Sequence, residues 1–334
     1  MNKKHIMVLL FLLLLGCSAY YEEEYVPDEV IYEIAEVIED IADDPVCQLK
    51  ATLLRHEYII TIYPVNLFDT QINTINAIAE EGNLPHSEFV IYRIRYISDG
   101  YEVIGYVAAP TDFMETEHPI LIYNRGGNRD FALVSRIDVA LAALHGSIVL
   151  ASQYRGNAGG TGMEQFGGDD VNDILRLIDI SESFEFAQQG GVYMFGASRG
   201  GMMTYIASRL DDRIVAAAVW AANSNIFEAF HERELTMQRV YIDLVGGTPE
   251  ELPEEFERRS AIFWANELQA PFLIGHGGEA DWRVLTHQSI NMAAALERYN
   301  MPHRLILYPD ADHDMPAEFA IEVFEWFMQH PIGE

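Results

Sequence analysis

The segment Val192 to Met203, V-Y-M-F-G-A-S-R-G-G-M-M, constrains this chain more than any other. Val192 to Phe195 is an apolar, strand-like run. Gly196-Ala197-Ser198-Arg199-Gly200 is a G-x-S-x-G turn, and Met202 to Leu210 reads as a helix. A strand that passes into a helix through G-x-S-x-G is a nucleophile elbow. The turn holds its serine in a strained backbone conformation with the hydroxyl clear of the sheet. Gly196 and Gly200 have no Cβ to clash with the backbone that must pass close by. Five-residue matches also arise by chance, so the motif informs only if partners for Ser198 follow.

They follow in order. Leu273-Ile274-Gly275-His276-Gly277 reads as a buried strand ending in glycines, with Asp281 shortly after it. A helical run from Leu285 to Tyr299 and a strand from Arg304 to Tyr308 precede Asp310-Ala311-Asp312-His313-Asp314. Serine, acid, histidine is the chain order of the α/β-hydrolases, with acid and histidine on loops after late strands. The spacings leave room for the intervening elements. A serine hydroxyl is a poor nucleophile at neutral pH, and imidazole titrates where it can take the proton. Asp281 is expected to hold the His313 tautomer and stabilise the imidazolium. Asp312 and Asp314 are sequence neighbours of His313 and read as a solvated loop. His276 reads as a core histidine at a strand end.

The expected fold is therefore α/β: a doubly wound, mostly parallel sheet with a helical cap insertion and an N-terminal helical extension. Phe89 to Ile97 and Tyr101 to Ala108 form a hairpin around Ser98-Asp99-Gly100. Ile120 to Tyr123 is a buried strand, and the loop Asn124 to Arg129 follows it. Hydrolases keep their second oxyanion donor in such a loop. The backbone N–H groups of Arg199 and Gly127 are the expected donors. Ile137 to Leu144 and Asp170 to Phe186 read as helices. Asp170 and Asp173 fall early enough in the second to favour its N-terminus. The loop Tyr154 to Gly168 has six glycines but no G-x-x-x-x-G-K-[ST], so it is not read as a phosphate cradle. Ala222 to Leu268, rich in aromatic residues, reads as the cap. Glu318 to Gln329 reads as a closing helix. No Cys/His cluster has metal spacing, and no cofactor is expected.

From about Glu88 to the C-terminus the chain resembles the catalytic domain of the prolyl oligopeptidase family of serine peptidases. The resemblance rests on Gln153-Tyr154-Arg155-Gly156 with Asp170, Asp173 and Asp179. It rests too on Gly246-Gly247-Thr248-Pro249 ahead of Arg259-Ser260-Ala261, and on Pro271 to Gly277 running to Asp281-x-Arg283-Val284. Tyr308-Pro309 before His313 completes it. It implies Ser198, Asp281 and His313 as nucleophile, acid and base, and short peptides as substrates. There are departures. Arg199 stands where the family often has an aromatic residue. Asn124-Arg125-Gly126-Gly127-Asn128 replaces an aromatic-or-His-Gly-Gly-Pro loop. In some members a tyrosine there helps bind the oxyanion, and the resemblance does not carry that role to Arg125. Larger members have a β-propeller ahead of this domain, and no blade-like repeat is present here.

The first residues address the chain. Lys3 and Lys4 precede ten apolar residues, Ile6 to Leu15, too few to span a bilayer as a helix. The run ends Leu14-Leu15-Gly16-Cys17, which resembles a bacterial lipobox. Residues 1–17 thus read as a lipoprotein signal, with Cys17 lipidated and the protein exported and membrane-anchored. One mature thiol, Cys47, remains, so no intramolecular disulfide can form. It reads as a small core residue.

The chain has 21 basic and 52 acidic residues, a formal net charge of −31. Such a charge repels phosphates, so nucleic acid is not an expected partner. Residues 18–87 read as an acidic tether followed by a helical extension. It has an amphipathic helix through Val30, Ile34, Val37 and Ile41, a strand from Glu57 to Tyr63 and a helix from Gln71 to Glu81. Residues 88–334 read as the catalytic domain. The chain as a whole reads as a serine hydrolase acting by acyl transfer, on short peptides first. Esters handled by the same triad are the alternative, and a catalytically silent surface-binding lipoprotein is the reading of another class.

Overall fold

The computed structural model describes residues 45–81 and 88–333. The expected signal segment with Cys17, the expected acidic tether and the helix expected near Val30 to Ile41 lie outside them. Nine strands form one sheet in the order β1-β2-β3-β5-β4-β6-β7-β8-β9. They are β1 (Ile59–Pro64), β2 (Phe89–Ser98), β3 (Tyr101–Pro110), β4 (Ile120–Asn124) and β5 (Ile148–Ser152), then β6 (Val192–Ala197), β7 (Ile214–Trp220), β8 (Phe272–Gly277) and β9 (His303–Tyr308). β1, β2, β3 and β5 pair antiparallel; from β5 through β4 to β9 every pairing is parallel. This is the mostly parallel sheet of an α/β-hydrolase.

The sheet is covered on both faces, which is why its inner strands read as unbroken apolar runs rather than alternating ones. Along β6, Val192 and Met194 enter one core while Tyr193 and Phe195 enter the other. Helix α1 (Pro45–Arg55) sends Leu49 and Leu53 into the first core. Helix α2 (Asp69–Glu81) sends Ile75 and Ala79 into the second. Each pair is spaced i, i+4, so it lies on one helix face. Through these helices and β1, the segment ahead of β2 is built into the sheet and both cores. Cys47 is buried.

Helix α3 (Arg136–Ala143) follows β4. Helix α4 (Asn172–Ser181), entered by a 3-10 turn at Asp169–Val171, follows β5. It stops earlier than the expected Phe186. The Ser181 and Ser183 hydroxyls bond back to the Ile178 and Ile180 carbonyls, an alternative to continuing the backbone ladder. Helix α5 (Arg199–Leu210) begins directly after Ser198, three residues before the expected start. Between β7 and β8 lies the helical insertion: α6 (Ile226–Glu232), α7 (Leu235–Val245) and α8 (Pro253–Arg258). Asn225 caps α6 through its side-chain oxygen, and α7 ends at left-handed Gly246. Phe230, Tyr241, Phe256 and Trp264 of this insertion are buried, while Phe263 is half exposed. Helices α9 (His287–Arg298) and α10 (Ala317–Met328) complete the chain.

Candidate active site

The loops after β4, β6, β8 and β9 all leave the same edge of the sheet, because these strands are parallel. Ser198 sits at the β6–α5 junction with φ 57° and ψ −123°, a conformation that side-chain-bearing residues rarely adopt. Its N–H donates to the Trp220 carbonyl at 2.8 Å, and its carbonyl accepts from Gly201 at 3.0 Å and Met202 at 3.3 Å. The strained residue is thus held on both sides. A Cβ on Gly200 would run into the Asn124 and Arg125 carbonyls, so glycine is required for α5 to start this close to β4.

Asp281 lies on the loop after β8 and is 1% exposed. Its Oδ1 accepts from the Arg283 and Val284 N–H groups at 3.0 and 3.1 Å. His313 lies on the loop after β9, with Nδ1 2.9 Å and 3.0 Å from the two Asp281 oxygens. A carboxylate only accepts, so Nδ1 carries the proton and Nε2 presents its lone pair. The His313 ring bonds only to Asp281, which leaves Nε2 open among the described residues. Burial works against an ionised Asp281. Hydrogen bonding from His276 and His313 prevails and holds its carboxyl well below the usual carboxylate range. Asp312 is spent within its own loop, accepting from Asp314 N–H.

His276 is buried, as its position at the end of β8 suggested, but it also borders the acid. Its Nε2 lies 2.9 Å from the Val284 carbonyl and 3.3 Å from Asp281 Oδ2. Both partners are acceptors, so Nε2 is protonated and Nδ1 faces the Ser289 hydroxyl at 2.7 Å. The sequence did not single out Trp220. Its carbonyl holds Ser198, and its indole N–H donates to the His313 carbonyl at 2.8 Å. The Gly278 N–H also ties this loop down, donating to Ala311 at 2.8 Å.

Two carboxylates stand at the helix entry as expected, Asp170 in the 3-10 turn and Asp173 in the first turn of α4, and both also pair with arginines. Asp173 is buried and meets the Arg155 guanidinium at 2.7 Å. Asp170 is buried and meets Arg199 at 2.6 Å. The partner arginines offer more than the helix terminus does, because paired charges tolerate burial and lone ones do not. The Arg199 guanidinium, 1% exposed, also meets Glu164 at 2.5 Å. Its backbone N–H opens α5 and therefore has no intrahelical partner. Gly127 adopts φ 65° on the loop after β4. Arg129 of that loop reaches Asp243 of α7 at 2.8 Å, joining the insertion to the loop after β4. A cavity of about 220 Å³ opens there, lined by Asp130, Asn157, Met163, Glu164 and Leu244 among others. Away from the site, Glu228, Glu232 and His287 bring potential metal-ligand atoms within 4.8 Å of one another. His287 Nε2 is already engaged by Glu232 at 2.6 Å as a surface hydrogen bond.

An elbow serine, a carboxylate and a histidine bonded to it, all on the C-terminal edge of a mostly parallel sheet, define an α/β-hydrolase. The chain belongs to the prolyl oligopeptidase family of serine peptidases, whose model matches residues 134–330. It is 29% identical over 235 residues to the uncharacterized peptidase YtmA of Bacillus subtilis (strain 168), covering 70% of this chain and 90% of that one. It is 26% identical over 231 residues to dipeptidyl-peptidase 5 of Porphyromonas gingivalis, covering 65% of this chain but 33% of that one. Among solved structures, an acylaminoacyl peptidase in complex with Z-Gly-Gly-Phe-chloromethyl ketone matches with TM-score 0.62 at 20% identity, covering 72% of this chain. This chain spans 41% of that peptidase's length. An acetyl xylan esterase from Paenibacillus sp. R4 matches with TM-score 0.58 at 18% identity, covering 82% of this chain and 98% of the esterase.

Proposed function

We propose that the chain cleaves short peptides by acyl transfer, with Ser198 as nucleophile, His313 as general base and then acid, and Asp281 as the group that orients His313. The observation that carries this reading is the paired contact of His313 Nδ1 with Asp281, with Ser198 at the strained elbow. Ser198 Oγ attacks the scissile carbonyl as His313 Nε2 takes its proton. The tetrahedral oxygen receives the Arg199 and Gly127 N–H groups. His313 then protonates the leaving amine, and water activated by the same Nε2 releases the acid. The contact between the serine hydroxyl and Nε2 need only close when substrate binds. Family membership and relatives named as peptidases support peptide bonds as the target.

Ester hydrolysis is the second reading, favoured by the near full-length match to an esterase fold. An alkoxide leaves more readily than an amine, so an amide-cleaving triad also turns over activated esters. The lipobox-like run Leu14-Leu15-Gly16-Cys17 supports an exported enzyme anchored through Cys17. A fluorophosphonate probe tests the nucleophile. It should label the wild type at Ser198 and leave Ser198→Ala unlabelled. Labelling at another serine, or none, would sink the assignment.

A further inference from the structure

Two buried guanidinium groups hold the carbonyls of the loop after β4. Arg125 donates to the carbonyls of Gly126 at 3.2 Å, Arg129 at 2.8 Å and Phe131 at 3.1 Å. Arg199 donates to the carbonyl of Gly127 at 3.3 Å. In a trans peptide the C=O and the following N–H share a plane and point in opposite directions. Pinning the Gly126 carbonyl to Arg125 therefore aims the Gly127 N–H away from Arg125. Pinning the Gly127 carbonyl to Arg199 does the same for the Asn128 N–H. Among the described residues, neither N–H has an acceptor. The loop also presses on the elbow: a Cβ on Gly126 would stand 3.3 Å from the Ser198 Cβ.

The two guanidiniums are themselves fixed. Both are at most 2% exposed, and both lie over the Tyr154 ring, at 5.0 Å for Arg125 and 4.7 Å for Arg199. Two like charges packed this closely need counter-charge. Glu164 supplies it, with Oε2 at 2.5 Å from Arg199 and 3.8 Å from Arg125. Its other oxygen accepts the Arg129 N–H, which belongs to the same loop. Burial works against ionisation of Glu164, yet the Arg199 charge holds its carboxyl below the usual range. Asp170 balances the second side of Arg199.

We propose that the side chains of Arg125, Arg199 and Glu164 are positioning residues for the oxyanion hole, setting the peptide planes from Gly126 to Asn128 against the nucleophile. This rests on the reading of Ser198 as the nucleophile. The three side chains act through the backbone and leave the reacting atoms to it. Arg199 thus does more than fill the space beside the elbow: it bonds the neighbouring loop through the Gly127 carbonyl.

Arg125→Lys, Arg199→Lys and Glu164→Gln test the proposal. Lysine keeps the charge but cannot fork to several carbonyls at once. Each variant is assayed for kcat and KM on a short peptide and for inhibition by a peptidyl trifluoromethyl ketone. Ser198 Oγ adds to that ketone as its proton passes to His313, and the resulting hemiketal oxygen occupies the oxyanion hole. The expected result is a loss of about a hundred-fold in kcat and in ketone affinity together, with KM within about twofold. Thermal melts confirm that the variants are folded; if Glu164→Gln is not, the charge-preserving lysine variants carry the test. Folded variants that keep both kcat and ketone affinity within about twofold, or that raise KM alone, overturn the proposal. Fluorophosphonate labelling separates the two readings. Labelling that survives in Ser198→Ala defeats the nucleophile assignment. Wild-type labelling of Ser198 in these variants, with unchanged kcat and ketone affinity, defeats only the positioning role.

Discussion

The indole N–H of Trp220 donates to the carbonyl of His313 at 2.8 Å, across 93 residues of sequence. The same residue's carbonyl accepts from Ser198 N–H, so the end of β7 fixes both the elbow and the base loop. The indole is wedged against Tyr308 and Phe319, with centroids at 5.8 and 5.1 Å. Trp220→Phe retains an apolar ring and the main-chain contact to Ser198, but loses the donor. It should cost about 1 kcal/mol of stability and lower kcat about tenfold, because His313 gains freedom to leave its line to the serine. Urea unfolding and steady-state kinetics check both; unchanged kcat in a destabilised protein would make Trp220 purely structural.

Ser198→Ala and His313→Ala should each lower kcat by several orders of magnitude, and the double variant little further, because the groups act as a unit. Asp281→Asn should lower kcat by about four orders of magnitude, since an amide no longer enforces the protonated Nδ1 that leaves Nε2 free. Additive losses in the double variant would show that the two residues act separately.

The frame of this site was legible from residue order, while its supports were not. Val192 to Phe195 and Leu273 to Gly277 announce themselves as strands because both sheet faces are buried there. Ser198, Asp281 and His313 are picked out by the G-x-S-x-G turn and by the serine, acid, histidine order after late strands. Trp220 gives no such sign, since an aromatic residue ending an apolar run is ordinary core, and only the returning loop after β9 makes it a donor. Glu164 looks like one more acid on a Gly-rich loop; its partner Arg199 lies 35 residues on. Asp170 and Asp173 sit at the helix entry that local position predicts, while their partners Arg199 and Arg155 give no sign in sequence because they come together only in the fold.

Acid stability should carry the mark of Asp281. Its folded carboxyl titrates below its unfolded value, so in acid the unfolded chain binds more protons. The stabilisation is complete above the ordinary carboxylate range, about pH 4, and is lost as pH falls through the depressed folded value. The difference in unfolding free energy between wild type and Asp281→Asn should therefore shrink as pH falls from about 5 toward 3. Taking the difference cancels the repulsion among the many other acids. A constant difference across that range would contradict a depressed carboxyl.

Anchoring has its own test. Wild-type protein expressed with its signal should partition into detergent and carry acyl chains on Cys17, and Cys17→Ala should do neither. An unmodified mature N-terminus elsewhere, read by mass spectrometry, would refute lipidation.

A peptide library digested in parallel by wild type and Ser198→Ala, with products read by mass spectrometry, addresses the account most directly. Cuts in short peptides by the wild type, absent from Ser198→Ala, with folded proteins left largely intact, are the predicted result. Peptides left uncut by a wild type that turns over acyl esters, or the same cuts made by Ser198→Ala, would contradict it.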